Sequence, residues 1–125
     1  MTTTPIDLVD EGLALYHRGE GFEAHEVWER VWREAKADPK RVDEERVLRA
    51  LIKLAAAMVK VKQKQVAGVL AHAIGARELL EQVSADVLVA VAHVRSIAND
   101  VEANAHALVE GRCDARAVFG SITRV

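Results

Sequence analysis

The chain has a single cysteine, Cys113, so it can close no internal disulfide and build no cysteine metal cluster. A reducing compartment is its simplest setting, and a cytoplasmic location is expected. Aromatic residues make up only 4% of the sequence. The core must therefore come from Ala, Val and Leu, which suit closely packed helices. No charge of one sign dominates: 17 basic and 19 acidic residues leave a net charge of −2. Whole-molecule electrostatics give no reason to expect nucleic acid or an anionic membrane as partner. Long apolar runs are missing too. The longest, Leu54 to Val59 and Val87 to Ala92, are far too short to span a bilayer. The opening residues Met1 to Pro5 lack the basic and apolar regions of a signal peptide. There is no glycine-rich phosphate loop and no Gly-x-Ser-x-Gly elbow. With no linker, repeat or low-complexity stretch, residues 1–125 are expected to form one helical domain, with 112–125 as a loosely held tail.

What is present is an ordinary globular balance, 50% hydrophobic and 29% charged. Its periodicity is helical throughout, and the expected fold is all-α, a compact bundle of about five helices. The first runs from about Pro5 to His17, with Thr4 as N-cap, Pro5 at the first position and Asp7 three residues after the cap. Gly19 and Gly21 then suit a C-cap and a tight turn. The second, about Phe22 to Ala37, gathers Ala24, Val27, Trp28, Val31, Trp32 and Ala35 on one face, with both tryptophans expected as core anchors. The third, about Val42 to Lys64, is apolar around more than half its circumference and should be central. Its remaining edge carries Arg46, Arg49, Lys53, Lys60 and Lys64. The fourth, about Val66 to Val83, has Gly68, Ala71 and Gly75 along one ridge, small enough for a close neighbour.

A fifth helix is expected over about Ala85 to Glu110, capped by Ser84. Val87, Val91, Val94, Ala98, Val101, Ala105 and Leu108 alternate steps of four and three along it. Read as strand, Val87-Leu88-Val89 would fit propensity alone, but the sustained seam favours helix. The seam is longer than a core of this size obviously needs, so a homo-oligomer is expected.

Two segments stand apart: Gly19-Glu20-Gly21-Phe22-Glu23-Ala24-His25-Glu26-Val27-Trp28-Glu29, continuing to Trp32-Arg33, and Leu51-Ile52-Lys53-Leu54-Ala55-Ala56-Ala57. Together they resemble domain-of-unknown-function family 309 of bacteria and archaea, over about Leu8 to Leu80. That family pairs a Phe-Glu-Ala-His-Glu helix, ending in Glu and Trp-Arg, with a Leu-Ile-x-Leu-Ala-Ala helix. Here Lys53 stands where Gln is common, and Gln65 and Gly68 occupy the region where Asn and Gly are usual. The resemblance implies a compact helical bundle and carries no activity with it.

His25, Glu26 and Glu29 invite comparison with the zinc motif His-Glu-x-x-His, in which two histidines one turn apart hold the metal and the Glu is the base. Position 29 is Glu, so the pair available to a divalent metal is His25 with Glu29, one turn apart on one face. A third ligand must come from elsewhere; His72 and His93 are candidates. The plainer reading makes His25 a structural clamp, partly buried and hydrogen-bonded to Glu29 or to a backbone carbonyl. The basic edge of the third helix offers an anion surface, or else pairs with acidic residues such as Glu26 and Glu29. No aromatic interleaves with it, so nucleic acid is not expected. The candidate ligand-binding residues are thus His25, Glu26, Glu29 and Lys53. A non-enzymatic binding or interaction module is the leading functional expectation. A metal-dependent hydrolase centred on His25, Glu26 and Glu29 is the alternative.

Overall fold

Thr4 opens the first helix as the spacing predicts. Its hydroxyl accepts from the Asp7 amide at 3.1 Å, and the Asp7 carboxylate accepts from the Thr4 amide at 3.1 Å. This reciprocal cap starts α1 (Pro5–His17). The structure, a computed structural model, describes residues 3–125. Met1 and Thr2, the first residues of the segment read for a signal peptide and of the expected 1–125 domain, lie outside the described residues.

Gly19, at φ +75°, turns the chain in the left-handed region that glycine enters without steric cost. The chain then enters α2 (Gly21–Lys36). A short 3₁₀ turn at Pro39–Arg41 leads to α3 (Val42–Lys62), and α4 (Val66–Glu81) follows. The remainder is α5 (Val91–Ala103), α6 (Ala105–Val109) and α7 (Ala115–Phe119). The fold is all-α. Among the described residues the only β pairing is two isolated bridges, Val87 with Val89 and Val89 with Arg124. Among the described residues no helix is long and apolar enough to cross a membrane.

The third helix lies between α2 and α4; α1 packs on α2, and α5 on α4. Val47, Leu48, Leu51, Leu54 and Ala55 of α3 are wholly buried, the consequence of an apolar surface that faces several neighbours at once. Trp28 is the largest buried side chain. Its indole lies against the bare backbone of Gly12, where an added Cβ would sit 2.1 Å from Nε1. The same Nε1 donates to the Val9 carbonyl at 3.2 Å. Trp32, expected as a second anchor, is only half-buried. It sits at the edge of α2, where Lys36 Nζ stands 4.8 Å from its ring centroid.

The helix expected from Ala85 begins instead at Val91. Val89 N–H donates to the Val87 carbonyl at 2.7 Å across Leu88, which sits at φ +65°. That is a tight three-residue turn rather than a helical one. The Val125 amide donates to the Leu88 carbonyl at 2.9 Å. Backbone groups here thus find partners far away in sequence. Ala90, not Ser84, is the N-cap residue, and the Asp86 carboxylate accepts from the first helical amide, Val91, at 3.1 Å. Val91, Val94, Ala98, Val101, Ala105 and Leu108 are all buried inside the chain. The seam from Val91 onward is thus used inside the chain, while Val87, its first expected member, is partly exposed.

Residues 112–125, expected as a loosely held tail, are docked. Phe119 and Ile122 are each 2% exposed. The buried Tyr16 hydroxyl donates to the Phe119 carbonyl at 2.7 Å, and burial pushes that phenol well above its ordinary pKa. His17 Nε2 accepts from the Ile122 amide at 3.0 Å, and His93 Nε2 donates to the Ser121 carbonyl at 2.8 Å. Arg124 closes the segment on Asp10 at 2.8 Å.

Candidate functional site

Spacing of four on α2 puts His25 and Glu29 on one face, and Trp32 follows a turn later. Spacing of three, four and seven on α3 puts Arg49, Ile52, Lys53 and Ala56 on the facing stripe. With His72 of α4 these residues line a cleft of about 170 Å³. Trp32, Ile52 and Ala56 make its apolar part. Trp32 is steadied by a long hydrogen bond from Nε1 to Glu45, 3.4 Å. Glu45 also pairs with Arg49 at 3.2 Å.

Lys53 is set by a glycine. Its aliphatic stem lies on Gly75, where a Cβ would come within 3.0 Å of Cδ and 3.5 Å of Nζ. The ridge of small residues on α4 therefore accommodates lysine stems: Gly68 receives Lys60 in the same way, with Cδ and Cγ 2.8 Å from where a Cβ would be. Among the described residues no carboxylate lies within ion-pair distance of Lys53. Elsewhere on the basic edge Arg46 is paired with Asp43 at 3.5 Å and Arg49 with Glu45, while Lys60 bonds the neutral amides of Gln63 and Gln65. The edge is not answered by Glu26 and Glu29.

His72 registers this charge. Burial, then the positive charges of Lys53 and Lys60 and then His25, hold the His72 imidazole below its ordinary pKa of 6.5. His25 is partly buried, as expected, but not hydrogen-bonded as expected. Its Nδ1 stands 3.8 Å from Glu29 Oε2, too far for a bond, and is itself buried without a partner. Glu29 lies at the same distance, 3.8 Å, from Arg33.

The sequence-derived candidates therefore divide. His25, Glu29 and Lys53 meet in the cleft, while Glu26 is exposed on α2 and does not line it. Of the two histidines considered as third ligands, His72 is present and His93 is bound to the C-terminal segment. Arg49, which sequence reasoning placed only in the basic edge, also belongs to the cleft; its i,i+4 spacing to Lys53 was the available signal. Among the described residues no three His, Cys, Asp or Glu side chains gather closely enough to hold a metal ion. His25 and Glu29 remain a pair. Two permanent cations, Lys53 and Arg49, stand in the same cleft and oppose a divalent cation there.

The chain is thus a small all-helical bundle with a basic, partly apolar cleft between its second, third and fourth helices. Residues 9–71, just over half of the chain, match the family model described as domain of unknown function DUF309. The protein belongs to that family. The matched stretch holds every lining residue of the cleft except His72, which follows one position after its end. Comparison with curated proteins and comparison with solved structures give no match.

Proposed function

We propose that this protein is a non-enzymatic binding module whose ligand is a small anion held in the α2–α3–α4 cleft. One observation carries the reading: the Lys53 ammonium stands in the cleft with no carboxylate at ion-pair distance among the described residues, beside Arg49, which is paired with Glu45, and the imidazoles of His25 and His72. Uncompensated positive charge in a partly desolvated cleft attracts an anion more strongly than the same charge on open surface. Lys53 provides a strong ammonium donor free of any carboxylate, and Arg49 a planar fork suited to carboxylate or phosphate. Glu29 has a complementary task. A small approach would let it accept from His25 Nδ1–H and leave Nε2 for the ligand. Ile52, Ala56 and Trp32 would lie against whatever apolar body the anion carries. No hydroxyl or thiol lines the cleft as a nucleophile, which favours binding over catalysis.

The hydrolase alternative asks for a third ligand and for Glu26 in the site, and it gains no support from the position of Glu26. For an assembly of copies, Phe22 is the largest exposed apolar side chain among the described residues. A cytoplasmic setting accords with the lone thiol of Cys113.

Calorimetric titration with inorganic sulfate, which stays a dianion over the whole pH range used, tests the reading. A bound anion favours protonated His72, whose proton is held weakly in the free protein. Binding must then take up protons, and affinity must rise as pH falls from about 7.5 to 5.5. Saturable binding that tightens on acidification, with an enthalpy that depends on the buffer's ionisation heat, is the expected result. Binding that weakens on acidification, or a melting temperature raised by Zn²⁺ in wild type and not in His25→Ala, would contradict it.

A further inference from the structure

We infer that the protein has a second ligand site, a pocket for a small apolar monocarboxylate between the C-terminal ends of α1 and α3 and the short helix α7. The pocket measures about 110 Å³. Its walls are buried: Tyr16, Met58 and Phe119, with Val61 partly exposed beside them. The two rings meet edge to face, 6.2 Å between centroids and 76° between planes. The Tyr16 hydroxyl is committed to the Phe119 carbonyl, so the phenol presents its carbon face to the pocket rather than a free polar group. Apolar walls of this kind select hydrocarbon; a cavity of about 150 Å³ accepts benzene, so this pocket has room for roughly four to six carbons.

The rim has the opposite character: its side chains offer donors, and the Gly19 carbonyl among them is already taken by Lys62. Lys62, Arg116 and His17 line the pocket and are exposed. Lys62 Nζ donates to the Gly19 carbonyl at 2.8 Å, which fixes its position and leaves two N–H groups over. Arg116 makes no ion pair among the described residues. The protonation of neutral His17 follows from its partner. Nε2 accepts from the Ile122 amide, so the proton must sit on Nδ1, making that nitrogen a donor. No carboxylate lines the pocket. Apolar walls beneath a rim of two cations and an N–H donor match one chemistry: a short hydrocarbon body ending in a head that only accepts and carries negative charge. Arg116 can hold such a planar head through two parallel bonds. The site is separate from the α2–α4 cleft. It shares no lining residue with it and does not depend on the function proposed there.

The test uses the full chain and three probes: propanoate, hexanoate and hexan-1-ol, followed by backbone amide chemical shifts. Hexanoate is expected to move the signals of Val61, Phe119 and Gly120 with a saturable dependence in the millimolar range. Affinity should rise about three- to fourfold for each methylene from propanoate to hexanoate. Hexan-1-ol should bind at least about tenfold more weakly than hexanoate, and Arg116→Gln should erase that difference while leaving alcohol binding unchanged. Ala115→Phe, at an exposed position on the pocket's edge, should weaken all three probes; unchanged melting temperatures show that both variants fold. Equal affinity for acid and alcohol in the wild type would overturn the inference. So would hexanoate shifts confined to Trp32, Lys53 and His72, or an absence of saturation at tens of millimolar.

Discussion

Replacing Trp28 with alanine should cost about 3–5 kcal/mol of stability, the range for removing a large aromatic side chain from a core. Trp28 is wholly buried, and the indole is a second donor to the Val9 carbonyl beside the helical bond of α1, so its loss removes that bond together with the packing. The cause is specific enough to test by a cycle. Gly12→Ala in the wild type forces a methyl into the position now held by the indole, 2.1 Å from Nε1. Backbone cannot yield there, so the ring must move and give up its bond, and a loss of about 3 kcal/mol is expected. With Trp28 already alanine, the same methyl enters space the ring has left. Gly12→Ala should then cost less than about 0.5 kcal/mol, or even stabilise the helix, since alanine is the better helix former. Denaturant unfolding of the two single variants and the double variant checks this. Additive losses would mean that Gly12 and Trp28 do not share one site.

Lys53→Gln should weaken sulfate binding about 10- to 100-fold, because a charged donor is exchanged for a neutral amide of similar length. Folding stability should scarcely change, since no carboxylate among the described residues loses a partner. Lys60→Gln is the matched control. It removes the same charge from the same edge of α3, but Lys60 lies on Gly68 and bonds Gln63 and Gln65 at 3.3 and 3.0 Å, outside the cleft. An effect within about twofold is expected there. Equal losses in both variants would point to a diffuse surface field instead of a site.

The first four helices are legible in the sequence because their signals are local. Thr4 and Asp7 cap, Gly19 turns, and apolar residues recur at helical spacing up to the end of α4. What escapes is decided by contacts distant in sequence. Val87 to Val89 leave the helix because their backbone is answered by the far C-terminus, at Arg124 and Val125. Residues 112–125 carry little periodicity, and only the cavity edge beside Tyr16 and the carbonyl facing its hydroxyl make Phe119 a core residue. Trp32 reads as core on a helical wheel, yet it falls at the margin of the α2–α3 contact, where the wheel has no information about the neighbour's width. The cleft was half legible. His25 and Glu29 share a face by spacing alone, and Lys53 lay on a visible basic edge. That His72 of α4 joins them depends on how α3 and α4 lie together, with Lys53 resting on Gly75, a fact of tertiary packing.

The central claim is that the α2–α3–α4 cleft receives an anion. The most direct measurement follows the ring nitrogens of the five histidines and the two indole N–H groups by nuclear magnetic resonance during a sulfate titration at about pH 6, where imidazole protonation is responsive. The expected result is a common saturation curve for His25, His72 and the Trp32 indole, with both imidazoles moving toward the protonated form, while His17, His93 and Trp28 stay fixed. Signals of His25 and His72 that remain still while sulfate rises to tens of millimolar, or that move no more than those of His17 and His93, would contradict the account.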